Sequence, residues 1–107
     1  MKIINKKDVE KKLVKMEDAF GVDVQLPIGK EDGTPAYSMR IFTVNPDGHT
    51  PFHSHDFEHI NYVISGCGVI RTDEGEFWIE SGDCVLVPAG EKHCYKCITN
   101  GEVEDLV

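Results

Sequence analysis

From Tyr37 onward the chain is a series of short apolar runs, each closed by residues that favour tight turns. Tyr37–Val44 reads as a strand, followed by Asn45-Pro46-Asp47-Gly48, four turn-forming residues in succession. His59–Ile64 is a second strand, ended by Ser65-Gly66. Cys67–Thr72 and Glu76–Glu80 flank Asp73-Glu74-Gly75, which signals a hairpin. Cys84–Val87 lies between Ser81-Gly82-Asp83 and Pro88-Ala89-Gly90. His93–Thr99 follows, and Asn100-Gly101 turns into a last strand, Val103–Val107. Residues 6–20 alone offer a helical stripe, through Val9, Leu13, Met16 and Phe20. Val9 to Lys15 also fits an irregular extended arm, which is the preferred reading. Short, evenly spaced strands predict an all-β sandwich or barrel.

With 107 residues, the pattern is that of one domain with a single modest core. Residues 1–35 form an N-terminal arm and the first strands, and residues 36–107 the barrel core. No repeat, low-complexity tract or linker interrupts it. The net charge of −8 argues against nucleic acid and anionic membrane surfaces, which reward clustered Lys and Arg. Met1 opens a polar segment with no apolar signal core, and no stretch approaches the roughly eighteen apolar residues of a membrane helix. A cytoplasmic protein is expected.

Four cysteines, Cys67, Cys84, Cys94 and Cys97, raise the question of disulfides or zinc. Cys94 and Cys97 form a CxxC, but on a strand an odd separation sends the two thiols to opposite faces. No second CxxC completes a four-thiolate site. Reduced thiols are the expectation.

The histidines change the picture more. His53 and His55 are two apart, so on an extended strand both imidazoles share one face. His59 lies four further on, and His93 follows the rigid Pro88-Ala89-Gly90 turn. Neutral imidazole is the commonest side-chain ligand of divalent transition metals, so the cluster points to a metal, with solvated histidines as the alternative.

Gly48-His49-Thr50-Pro51-Phe52-His53-Ser54-His55-Asp56-Phe57-Glu58-His59, continuing to Gly66, resembles the first motif of the cupins. Gly82 to Pro88-Ala89-Gly90-Glu91-Lys92-His93 resembles the second, G-x5-P-x-G-x2-H, with every spacing intact. Three positions depart from the pattern. The gap from Gly48 to His53 is one residue short, Cys97 stands where the second motif has Asn, and His59 stands where the first has a glutamate ligand. Glu58 is adjacent, but one step along a strand points it to the other face. The chain is therefore similar to the four-histidine subset of small cupins.

That resemblance implies a double-stranded β-helix, or jelly-roll barrel, holding one divalent transition metal on His53, His55, His59 and His93. Four neutral ligands leave the ion's charge uncompensated and exclude hard-oxygen ions such as Mg and Ca, while Fe, Mn, Ni, Cu and Zn remain open. The implied activity is that of an oxidoreductase of the dioxygenase type on a small organic substrate. A non-catalytic ligand-binding or sensor module and an isomerase are the alternatives. If His93 faces inward, so do Tyr95 and Cys97, which then line a substrate pocket or fill plain core. Arg40, a charge in an apolar strand, can clamp a substrate carboxylate if it faces inward. Asp105 is a weaker candidate for the same wall, and His49 is a bystander. Trp78 is expected in the core or at a subunit interface. Small cupins pair into dimers, and Ile60, Tyr62 and Ile64 with the N-terminal arm suit such an interface.

Overall fold

The stretch Phe20–Ile28 organises the molecule, although its patterning stands out less than that of the later strands. The computed structural model describes residues 1–98, and in it this nine-residue strand, β2, bridges the arm to the barrel. The other strands are β1 (Lys12–Leu13), β3 (Met39–His49), β4 (His59–Tyr62), β5 (Cys67–Thr72), β6 (Gly75–Glu80), β7 (Cys84–Val87) and β8 (His93–Cys97). One sheet runs β1-β2-β3-β8-β5-β6 and a smaller one pairs β4 with β7, every ladder antiparallel. This is the all-β architecture that the strand spacing predicts, in the jelly-roll form that the resemblance implies.

Alternation decides which side of each strand is inside. Val22 and Val44 are paired neighbours, and with Val63, Ile70, Ile79 and Cys97 they form the buried cluster between the sheets. Each such aliphatic side chain contributes about 1.5–3 kcal/mol by leaving water. On the opposite side of β2, Gln25 is buried under the arm and donates through Nε2 to the carbonyls of Lys6 (2.7 Å) and Val9 (3.0 Å). The arm is extended, as expected, apart from a single 3-10 turn at Lys6–Asp8 capped by Asn5.

The turn expected at Asn45-Pro46-Asp47-Gly48 is not a hairpin. β3 runs through it to His49, and the register slips from Val22↔Val44 to Phe20↔His49, setting four residues of β3 against Gly21 alone. Pro46 has no N–H for a ladder, and Asp47 takes the left-handed conformation (φ 62°), so pairing lapses without reversal of the chain. Asn45 compensates by donating through Nδ2 to the Gly21 carbonyl (2.9 Å) and the Asp23 carboxylate (3.1 Å). The strand expected at Tyr37–Val44 begins at Met39 and runs on to His49, that expected at His59–Ile64 ends at Tyr62, and that expected at His93–Thr99 covers His93–Cys97, Thr99 lying outside the described residues. The Asn100-Gly101 turn, the strand Val103–Val107 and Asp105 lie outside the described residues.

All four cysteines are thiols. Cys97 belongs to the inner core, whereas Cys94 is buried on the other face of β8, as the odd separation predicts. Burial pushes the Cys94 thiol above its ordinary value. Of the two places expected for Trp78, core or subunit interface, the first is excluded: it pairs with Val69 on the outer side of the sheet and is half exposed. Ile60, Tyr62, Ile64 and Leu86 are exposed, with Ile60 and Leu86 paired on the outer side of the small sheet. Among the described residues no helix is long and apolar enough to cross a membrane.

Candidate metal centre

Three chain segments bring four imidazoles together. His53 and His93 face each other as an isolated antiparallel pair, exchanging N–H···O bonds of 3.2 and 3.0 Å. The Pro88–Gly90 turn is tied to the same segment, because the Gly90 N–H donates to the His55 carbonyl at 2.6 Å. His59 opens β4 opposite Val87. Ring centroids lie 4.4 Å apart for His53–His55, 4.5 Å for His55–His59 and 6.0 Å for His53–His93. His55–His93 and His59–His93 are 6.2 and 6.3 Å apart.

Backbone carbonyls fix how two of the rings are presented. His53 Nδ1 lies 2.7 Å from the Pro51 carbonyl and His93 Nδ1 lies 2.9 Å from that of Glu91. A carbonyl only accepts, so each Nδ1 carries the proton and each Nε2 keeps its lone pair. The Nε2 of His59 is buried with no hydrogen-bond partner, which a protein rarely tolerates without use. These donors suit a divalent transition ion in kind. An imidazole bound at about 2.1 Å has its centroid roughly 3 Å from the ion, so bound rings span at most about 6.5 Å. The five contacts above meet that bound. As the side chains stand, no three His, Cys, Asp or Glu among the described residues are closed tightly enough to hold an ion. The rings converge loosely.

Burial, followed by repulsion from the neighbouring rings, holds His55 below the ordinary imidazole value of 6.5. His59 is lowered by burial first, then by His93, His53 and the Arg40 charge. In the unfolded chain both would titrate near 6.5, so between the two values the unfolded state binds more protons. Stability therefore rises with pH across this window and is lost as pH falls below about 6.5. Chelator-treated protein is expected to melt at lower temperature at pH 5 than at pH 7.5, with a smaller difference in a His55→Gln, His59→Gln variant. An identical pH profile in that variant would contradict the assignment.

A cavity of about 330 Å³ opens beside His93 between the two sheets. Its walls are apolar (Ile70, Phe77, Ile79, Val85 and Val87), and Thr72 and Glu91 give it a polar end. Tyr95 lies inward, its ring 5.9 Å from His93 and its hydroxyl accepting from Asn61 Nδ2, but it packs against the core and lines neither this cavity nor the one that holds Arg40, which corrects its expected place in a pocket wall. Burial raises the Tyr95 phenol to about 12, so it stays protonated. Cys97 packs in the core and lines neither this cavity nor the one that holds Arg40. Arg40 shares its side of β3 with Phe42 and Val44, is exposed at the rim, and projects its charge on His59. His49 lies apart from the cluster, against Phe20. Asn61 and Glu91 escape a reading of the sequence. Alternation from His59 would have found Asn61, whereas nothing local marks Glu91.

Residues 40–107 match the cupin domain family. No curated protein sequence matches the chain. Among solved structures, the polyketide cyclase RemF from Streptomyces resistomycificus superposes with a TM-score of 0.89 at 28% identity, covering 99% of this chain and 76% of that one. A predicted oxalate decarboxylase from Thermotoga maritima gives 0.81 at 22% identity, over 98% of this chain and 95% of that one. A sugar phosphate isomerase of the cupin superfamily from Silicibacter pomeroyi gives 0.79 at 17%, over 98% and 73%. The latter two likenesses speak for the fold alone. With two sheets closing on paired histidine segments and a family match over most of its length, the chain belongs to the cupin domain family.

Proposed function

We propose that the protein is a metal-dependent enzyme that closes a ring on a small polycarbonyl substrate, with His53, His55, His59 and His93 as the ligands of one divalent transition ion. The buried, partnerless Nε2 of His59 among three other imidazoles carries this reading. When bound, the ion supplies Lewis acidity toward a carbonyl oxygen. The remaining work falls to the chain itself. Ile70, Phe77, Ile79, Val85 and Val87 hold the apolar body of the substrate. The Glu91 carboxylate, at the polar end beside His93, takes a proton from the carbon next to the carbonyl. The Tyr95 hydroxyl, held by Asn61 and kept protonated, backs His93 and exchanges no proton. The similarity to a polyketide cyclase at 28% identity over nearly the whole chain favours carbonyl chemistry over oxygen chemistry.

Anaerobic incubation of zinc-loaded protein with an aromatic polyketone tests this, with ring closure followed by absorbance and loss of water by mass. Glu91→Gln should retain zinc and lower kcat by roughly 10²-fold, the low end for proton transfer because solvent reaches this exposed position. A dioxygenase is the second reading, favoured by a neutral all-imidazole donor set that accommodates Fe, Cu or Mn. Turnover that requires dioxygen would select it, and no turnover under either atmosphere would remove both.

A further inference from the structure

A second cavity, of about 350 Å³, lies between the end of β2 and the start of β3, and two cations, Lys30 and Arg40, line it with Thr34, Ser38 and Tyr37. Its construction is specific. The register of β2 on β3 jumps from Gln25↔Ile41 to Ile28↔Met39, so Leu26 and Pro27 both lie against Arg40. A bulge of this kind re-aims the single residue opposite it. Among the described residues neither Lys30 nor Arg40 has an ion-pair partner. Asp32, the acid two residues from Lys30, is engaged elsewhere: it pairs with Lys2 at 2.6 Å and accepts from the Gly29 N–H at 2.9 Å. Those two contacts hold its carboxyl below the usual range. In a chain of net charge −8, two uncompensated cations beside hydroxyls in one groove are an unusual concentration of positive charge.

We propose that Lys30 and Arg40 form an anion subsite that takes the carboxylate of the substrate. Arg40 supplies a planar fork suited to two carboxylate oxygens, and Lys30 a point charge beside it. Arg40 is also the residue shared between this groove and the field acting at His59. That this carboxylate belongs to the substrate of the histidine cluster is read from Arg40 alone, since this groove and the cavity beside His93 share no lining residue. That second half rests on the function proposed above; the anion subsite itself does not. The substrate class is thereby narrowed to small organic acids.

Benzoate and its neutral analogue benzamide are suitable probes, titrated by NMR against the full chain in chelator-treated and zinc-loaded forms. Benzoate is expected to bind both forms and benzamide neither. Arg40→Met should weaken benzoate at least tenfold, about 1.4 kcal/mol, Lys30→Met severalfold, and Arg40→Lys to an intermediate degree because the fork is lost. Zinc uptake should be unchanged in Lys30→Met and no weaker in the two Arg40 variants, since the Arg40 charge acts on His59. Benzoate affinity equal to wild type in both Met variants, or benzamide binding as tightly as benzoate, would overturn the subsite. Wild-type protein that binds benzoate but takes up no zinc would remove the metal reading and leave the subsite standing.

Discussion

His59→Ala is expected to cost the protein about 3 kcal/mol of zinc affinity, a fall of roughly 10²-fold, and to leave the metal-free fold as stable as before or more so. The first number follows from dividing the roughly 10–16 kcal/mol of a four-ligand zinc site among its ligands. The second follows from the ring's surroundings. Its Nε2 is buried with no partner, and an unsatisfied buried polar atom costs on the order of 1–3 kcal/mol. Alanine removes that penalty together with the ligand. The two effects run in opposite directions, and a histidine serving only as packing would not produce that combination. His49→Ala is the control, since His49 lies against Phe20 outside the cluster. Competition with a chromophoric chelator measures affinity, and thermal denaturation in excess chelator measures stability. Equal zinc affinity in wild type and His59→Ala would remove His59 from the ligand set and with it the functional reading.

The histidine cluster was legible because alternation and fixed spacing are properties of the local chain. His53 and His55 share a side for the same reason that Cys94 and Cys97 do not. The inward positions of Tyr95 and Cys97 follow from His93 by the same rule. What escaped depends on contacts between distant segments. Asn45-Pro46-Asp47-Gly48 has the composition of a hairpin turn, yet β2 lies alongside and holds β3 on course, so turn chemistry is spent on a bulge. Phe20–Ile28 carries Pro27 and alternates imperfectly because its outer side is covered by the arm through Gln25. Glu91 is a spacer by its sequence position and acquires meaning only when the Pro88–Gly90 turn closes on His55. Lys30 and Arg40, ten residues apart, meet at one groove only because a register jump on β2 lies opposite Arg40.

The bulge also sets the site of the largest expected loss of stability. In Gly48→Ala, the new methyl would stand 2.7 Å from the Gly21 carbonyl oxygen, 2.8 Å from that of Phe20 and 2.9 Å from that of Asn45. All three are backbone atoms, so no side chain can swing away; relief from the Gly21 and Phe20 carbonyls requires parting β2 from β3 at the slip between Val22↔Val44 and Phe20↔His49, and relief from the Asn45 carbonyl requires reshaping β3 itself. Gly21 limits the movement further: it is in the left-handed region (φ 62°), and a Cβ built there would itself lie 3.3 Å from Gly48 Cα. Overpacking of a close contact costs about 1–3 kcal/mol where side chains can yield; here they cannot, and about 3 kcal/mol is expected. For a domain of this size that lowers Tm by roughly 15 °C. Gly33→Ala is not an equivalent control despite open space around it, because its φ of 88° strains any side chain. Gly29→Ala is the better comparison, since the contact there is the flexible Leu26 side chain at 3.3 Å, which can shift. A Gly48→Ala protein that melts within a few degrees of wild type would show that β2 and β3 do not approach this closely. The path that β3 takes from the Arg40 groove to the histidine segments would then need to be redrawn.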